Sequence, residues 1–288
     1  MDSAETTHDS LKYSSNTKRN HHQILITSTL TPASNLTQPR CCFAMPSASH
    51  QNASPIPHIH ALCMEDDYST ALQAAVEAHS LSSVSITYHN CALSFVEAEF
   101  DLIVSPANSY GRLDGGFDDA ISRSFSPRDD YLALTRAAQA KLYDEWRGFA
   151  PPGTCTLLRI PDDFHARSRN TWNTKYLALC PTMRVPQNVN WDHEVIYECT
   201  WSLLCAVDRH NRAVREGRLS GRHDEIRSLL MVPMATGVGA VSPERWANQT
   251  VLAFEHYVDA MENESKWSSL EPGDIIEYAH EVEQTWEL

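Results

Sequence analysis

The chain has 288 residues, 42% of them hydrophobic, which suits one large domain or two small ones with ample core. Its 23 basic and 37 acidic side chains leave a formal charge of −14, which excludes an extended nucleic-acid surface, because phosphate backbones are held mainly by Lys and Arg. A run of about 18 apolar residues and a secretory h-region are both missing, so the expectation is an intracellular protein, cytoplasmic or nuclear, with no membrane association.

Residues 1–54 are rich in Ser, Thr, Asn, His and Pro and show no sustained period. Such a segment buries too little apolar surface to offset its ordering entropy and is expected to be a disordered arm. A mitochondrial transit peptide is the alternative, which Asp2, Glu5 and Asp9 disfavour. From His58 the pattern changes. Ile59–Met64 reads as a strand, and Asp66 or Asp67 caps a helix over Ser69–His79 with Leu72, Ala75 and Val76 on one face. Strands follow at Val84–Tyr88 and Phe100–Ser105, then helices at Phe117–Phe125 and, behind Pro127, at Arg128–Arg147.

After the Pro151-Pro152-Gly153 break come strands at Thr154–Ile160 and Tyr176–Cys180, and a long helix over His193–Val214. Ile226–Pro233 is the last strand and Pro243–Tyr257 the helix after it. Alternating strands and helices predict an α/β fold in which a mixed, mostly parallel sheet is covered on both faces, over residues 55–262. Residues 263–288 read as an acidic tail in which Asp274 caps a closing helix.

Two loops carry the chemistry. Leu102–Val104 runs into a turn holding Asn108, Gly111, Gly115 and Gly116, which opens directly into a helix. A strand feeding a glycine-bearing loop and a helix N-terminus exposes unpaired N–H groups where the peptide dipoles favour an anion. Glycine there lets a ligand approach the backbone closely. The segment Met234-Ala235-Thr236-Gly237-Val238-Gly239-Ala240 follows the same logic, with Ser242-Pro243 starting the next helix. Gly-x-Gly alone is as much a turn as a site; the two loops together predict a pocket for a phosphorylated small molecule at the C-terminal ends of central strands. Gly-x-Gly-x-x-Gly does not follow the first strand, which argues against a nucleotide-dependent oxidoreductase.

Ser105-Pro-Ala107-Asn108-Ser109, followed by Asp114-Gly115-Gly116-Phe117-Asp118-Asp119-Ala-Ile121, resembles the first ligand loop of macro domains, modules that bind ADP-ribose and in some members hydrolyse ADP-ribosyl bonds. Asn108, Gly115, Gly116 and Asp118 match the family pattern, while Asp114 replaces a glycine and Phe117 a valine. The second loop is similar to the family's diphosphate-wrapping loop, with Val238 and Gly239 where an aromatic residue is usual; Tyr110 or Phe117 is a candidate substitute ring. Between Cys91 and Phe100 the adenine-binding Asp has no counterpart. The resemblance covers roughly 58–262.

The resemblance implies a three-layer α/β/α macro-domain-like fold whose partner is ADP-ribose or an ADP-ribosylated protein. It implies Asp118 as the acid that positions a water, helped by Asn108. Ligand contacts would come from Ser105, Ala107, Ser109, Gly115, Gly116, Phe117, Thr236, Gly237, Val238, Gly239 and Ala240, with no cofactor. Two alternatives stand beside an enzyme: a non-catalytic reader, and an interaction module that has lost the nucleotide site. In their bland readings Asp118 and Asp119 are first-turn acids favoured by the dipole, and Asn108 and Thr236 settle turns. The histidines show no His-x-x-x-His spacing and the eight cysteines no C-x-x-C pairing, so no metal is expected. In a reducing compartment the sequons at Asn35, Asn52, Asn248 and Asn263 are chance matches.

Overall fold

The computed structural model describes residues 54–288; nearly all of the expected arm, with Cys41 and Cys42, lies outside the described residues. Six strands form one sheet: β1 (His58–Leu62), β2 (Ile86–His89), β3 (Leu102–Ser105), β4 (Thr156–Arg159), β5 (Tyr176–Leu179) and β6 (Ser228–Met231). Their order is β2-β1-β6-β3-β5-β4. Every pairing is parallel except that of β4 with β5. β3 and β5 are buried at every position, as strands covered on both faces must be, which is why they read as unbroken apolar runs.

Alternate strand residues feed two cores. Ile59, Ala61, Leu102, Val104, Tyr176, Ala178, Leu229 and Met231 pack against α1 (Asp66–Ala78), α5 (Val195–Arg215) and α6 (Pro243–Glu262). Leu62, Ile103, Leu177, Leu179 and Leu230 face α2 (Gly116–Phe125) and α3 (Ala133–Trp146) on the other side. The fold is thus α/β with helices on both faces of a mixed, mostly parallel sheet.

Most element ends shift by one or two residues from the sequence reading and α6 runs on to Glu262; three helix starts differ for a local reason. Glu65, not Asp66 or Asp67, is the residue before α1, and no side chain caps that end; the two aspartates lie in the first turn, where the helix dipole favours them. The helix expected from Arg128 begins at Ala133. Ser126 Oγ donates to Tyr131 O (2.9 Å) and accepts from Leu134 N (3.2 Å), which winds residues 127–132 into turns instead. The closing helix begins at Pro272, with Asp274 two residues inside it, its carboxylate accepting from Glu271 N (3.0 Å).

Residues 263–288 carry two short helices, α7 (Glu264–Trp267) and α8 (Pro272–Glu283), after the four-residue α4 (Asp162–His165) earlier in the chain. They return to the helical layer. His256 Nε2 lies 2.7 Å from Glu281 Oε2, Gln249 Nε2 donates to Thr285 Oγ1 (2.9 Å), and Trp286 Nε1 donates to Glu194 Oε1 (3.1 Å).

The connection from β6 to α6 behaves as its residues predict. Ser242 Oγ accepts from Arg245 N (3.1 Å) and Pro243 fills the first helical position, where its missing N–H costs nothing. Before it the chain folds back on itself so tightly that a Cβ on Gly239 would lie 2.2 Å from Ala235 O, whereas one on Gly237 would meet nothing within 4 Å. Gly239→Ala is therefore expected to destabilise the domain by about 1–3 kcal/mol and Gly237→Ala by less than about 0.5 kcal/mol, compared by urea unfolding; equal costs would mean that the loop opens freely.

Candidate functional site

The parallel strands place the loops after β1, β3, β5 and β6 on one rim of the sheet, and these loops enclose a cavity of about 480 Å³. That volume is within the roughly 300–1,000 Å³ usual for small-molecule sites. β6 lies between β1 and β3, so the cavity sits where the chain changes direction across the sheet, the place where open α/β sheets bind ligands.

The two glycine loops meet here. Ala107, Asn108, Asp114, Gly115, Gly116, Phe117 and Asp118 line the cavity from the β3 side, and Thr236, Gly237, Val238 and Gly239 from the β6 side. Among the described residues, the backbone N–H groups of Gly115, Gly116, Phe117, Thr236, Gly237, Val238 and Gly239 meet no internal acceptor. Three of these belong to the start of α2, where helix geometry leaves amides unpaired. Gly116 takes φ +56°, a left-handed conformation that a side chain would strain.

Among the described residues Asp118 is the one buried carboxyl of the cavity wall, 6% exposed. Ser105 Oγ, at the end of β3, donates to Asp118 Oδ1 (2.5 Å). Burial pushes this carboxyl from 3.8 up to about 7; the Ser105 hydrogen bond opposes the rise and the nearby charge of Asp114 adds to it. Asp119 points elsewhere, accepting from Arg123 Nε (2.7 Å) and Tyr131 OH (2.6 Å).

The remaining sequence candidates divide by what their side chains already do. Asn108 lines the cavity, but its carboxamide organises the loop: Oδ1 accepts from Tyr110 N (3.1 Å) and Arg112 N (3.3 Å), and Nδ2 donates to Arg112 O (2.7 Å). Thr236 Oγ1 is similarly engaged, donating to Pro233 O (3.0 Å). Ser105 lies behind Asp118 rather than on the cavity surface. Ser109 is fully buried and turned to the loop after β5, where its N–H and Oγ both reach Met183 O, and Ala240 lies outside the cavity wall. Of the two candidate rings, Phe117 is in the wall, while Tyr110 packs on Phe149 with centroids 5.7 Å apart.

Sequence reasoning missed two walls. Leu62, Met64, Glu65 and Tyr68 come from the end of β1 and the start of α1, and Thr182, Met183 and Pro186 from the loop after β5. Neither segment contains glycine, and the signal that would have found them is strand direction: every parallel strand end in the centre of the sheet must open onto the same rim. The loops after β3 and β5 are also stitched together beyond their strands, by Thr182 N donating to Ala107 O (3.1 Å) and by a parallel bridge between Asn108 and Met183. Among the described residues no group of three His, Cys, Asp or Glu side chains could hold a metal ion, and no helix is long and apolar enough to cross a membrane.

No protein-family model matches the chain, and no curated protein matches it. Solved structures give distant likenesses. A macrodomain of Oceanobacillus iheyensis with ADP is 18% identical with a TM-score of 0.39, covering 55% of this chain and 70% of that one. A mutant of the same macrodomain with ADPR is 16% identical, with a TM-score of 0.40 over 55% of this chain and 71% of that one. The same macrodomain with MES bound is 16% identical, with a TM-score of 0.40 over 66% and 87%. Scores this low carry neither family nor ligand across to the present chain.

Asp118 holds its proton more tightly in the folded chain than in the unfolded one. Both states are protonated below about pH 3, and the folded state loses stability as pH rises through 3.8, where the unfolded carboxyl ionises, to about 7, where the buried one does. Asp118→Asn keeps an acceptor for Ser105 and removes the charge. It is expected to raise stability by about 2–4 kcal/mol at pH 8 and by almost nothing at pH 3, measured by chemical unfolding at both pH values.

Proposed function

We propose that this is a macro-domain-like protein that binds ADP-ribose, or a related nucleotide diphosphate, in the cavity between the two glycine loops. The observation that carries this reading is the set of seven backbone N–H groups without internal acceptors, drawn from two loops on the walls of one cavity. Unpaired amides lining one cavity suit a diphosphate, whose oxygens accept without needing a cation at each position. The sequence likeness of Ser105–Ile121 to the first macro-domain ligand loop supports the same ligand class.

A second reading, hydrolysis of ADP-ribosyl or ADP-ribose-phosphate bonds, is favoured by Asp118. A carboxyl held near neutrality on a cavity wall suits a general base: it can take a proton from an attacking water and return one to the departing group. The same amides would stabilise charge developing on the phosphates. Asn108 serves this reading indirectly, by fixing the loop that carries Gly115 and Gly116.

Calorimetric titration with free ADP-ribose is the direct test of binding. Micromolar affinity is the expected result, and no heat at millimolar ligand overturns the reading. Turnover on ADP-ribosylated substrates is expected to rise with an apparent pKa near 7 and to fall by about 10²–10⁴-fold in Asp118→Asn while binding persists. Binding without turnover in the wild type assigns the protein as a reader.

A further inference from the structure

Among the described residues the cavity wall carries three carboxyl groups, Glu65, Asp114 and the near-neutral Asp118, but a single cationic side chain, Arg112. An anionic ligand entering past Glu65 and Asp114 meets like charge on two sides, so the placement of that one guanidinium decides how a phosphate is received. Its placement is unusually well fixed for a loop residue. Asn108 brackets the Arg112 backbone from both sides, with Oδ1 accepting from Arg112 N and Nδ2 donating to Arg112 O. Asp114 then holds the guanidinium by its Nε at 2.5 Å, and among the described residues the two terminal nitrogens have no partner. The side chain is 51% exposed, so those terminal N–H groups remain accessible.

We infer that Arg112 is the anion-recognition residue of this cavity, with Asn108 as its positioning residue and Asp114 as the counter-ion that holds its guanidinium by one edge. The inference rests on the proposed nucleotide-diphosphate reading and adds to it a side-chain contact that the backbone amides do not supply. The free edge of a guanidinium presents two parallel donors, the geometry that matches two oxygens of one phosphate. Lys in its place brings charge without the fork.

The test is calorimetric titration of wild type, Arg112→Gln, Arg112→Lys, Asn108→Ala and the Asn108→Ala/Arg112→Gln double variant, at low and high salt. ADP-ribose is one probe and inorganic pyrophosphate the other. Arg112→Gln is expected to weaken ADP-ribose binding about tenfold or more and to flatten its salt dependence, while Arg112→Lys recovers part of both. Asn108→Ala is expected to weaken binding in the wild type, and the double variant to bind no more weakly than Arg112→Gln alone, since Asn108 acts through Arg112.

Thermal unfolding of each variant separates a folding defect from a binding one. Arg112→Gln binding within twofold of wild type, with unchanged salt dependence, overturns the inference even where ADP-ribose binds. Pyrophosphate binding that depends on Arg112 upholds it even where ADP-ribose gives no heat and the nucleotide reading fails. A wild type that binds neither probe overturns both.

Discussion

The parallel run of β2, β1, β6, β3 and β5 is the constraint on which the site depends. Parallel pairing points all five strands the same way, so each must discharge its loop at the same edge of the sheet. Because β6 is inserted between β1 and β3, the loop that follows β6, over a hundred residues later in the chain, comes to lie beside the one that follows β3. The two amide-rich segments become neighbours through this strand order alone. The long helix α5 carries the chain from β5 back across the face of the sheet to β6, and its apolar stripe and that of α6 supply most of the helical side chains of the core on that side.

Element types were largely legible because each obeyed one period. Buried strands appeared as short continuous apolar runs, and α5 as a sustained helical repeat from Val195 to Val207. Strand order was not legible, since hydrophobic pattern says that β3 and β6 are central but not that they touch. The same gap explains the candidate site. Gly115, Gly116, Gly237 and Gly239 announced themselves by residue type, whereas Tyr68, Thr182 and Pro186 reach the cavity only through topology. Asn108 illustrates a subtler limit: its position in the loop was legible, but whether its amide faced a ligand or its own backbone depended on geometry that a single letter does not hold.

Asp118 concentrates the tension between folding and chemistry. A hydrophobic residue at this place would pack at no electrostatic cost, yet the chain buries a carboxyl against Ser105 and accepts a loss of stability near neutral pH. The amide groups at the start of α2 offset part of that loss, because the positive end of the helix dipole favours the ionised form. Such a group is poised between its two protonation states where most proton transfers in a cell take place, and its neighbours Ser105 and Asp114 pull that balance in opposite directions.

The tight fold at Gly239 has a consequence for how this protein can diverge. Its cavity wall on the β6 side includes four successive peptide N–H groups without internal acceptors, and such groups are the same whatever side chain they bear. Val238 is exposed and Thr236 spends its hydroxyl on Pro233, so either can be exchanged with little effect on the amides beside them, while the collision with Ala235 O holds position 239 to glycine. A lineage under selection for the same grip would therefore drift in nearly every letter of this loop, Gly237 included, and keep the glycine at 239, so that relatedness would fade from the sequence long before it faded from the shape of the wall.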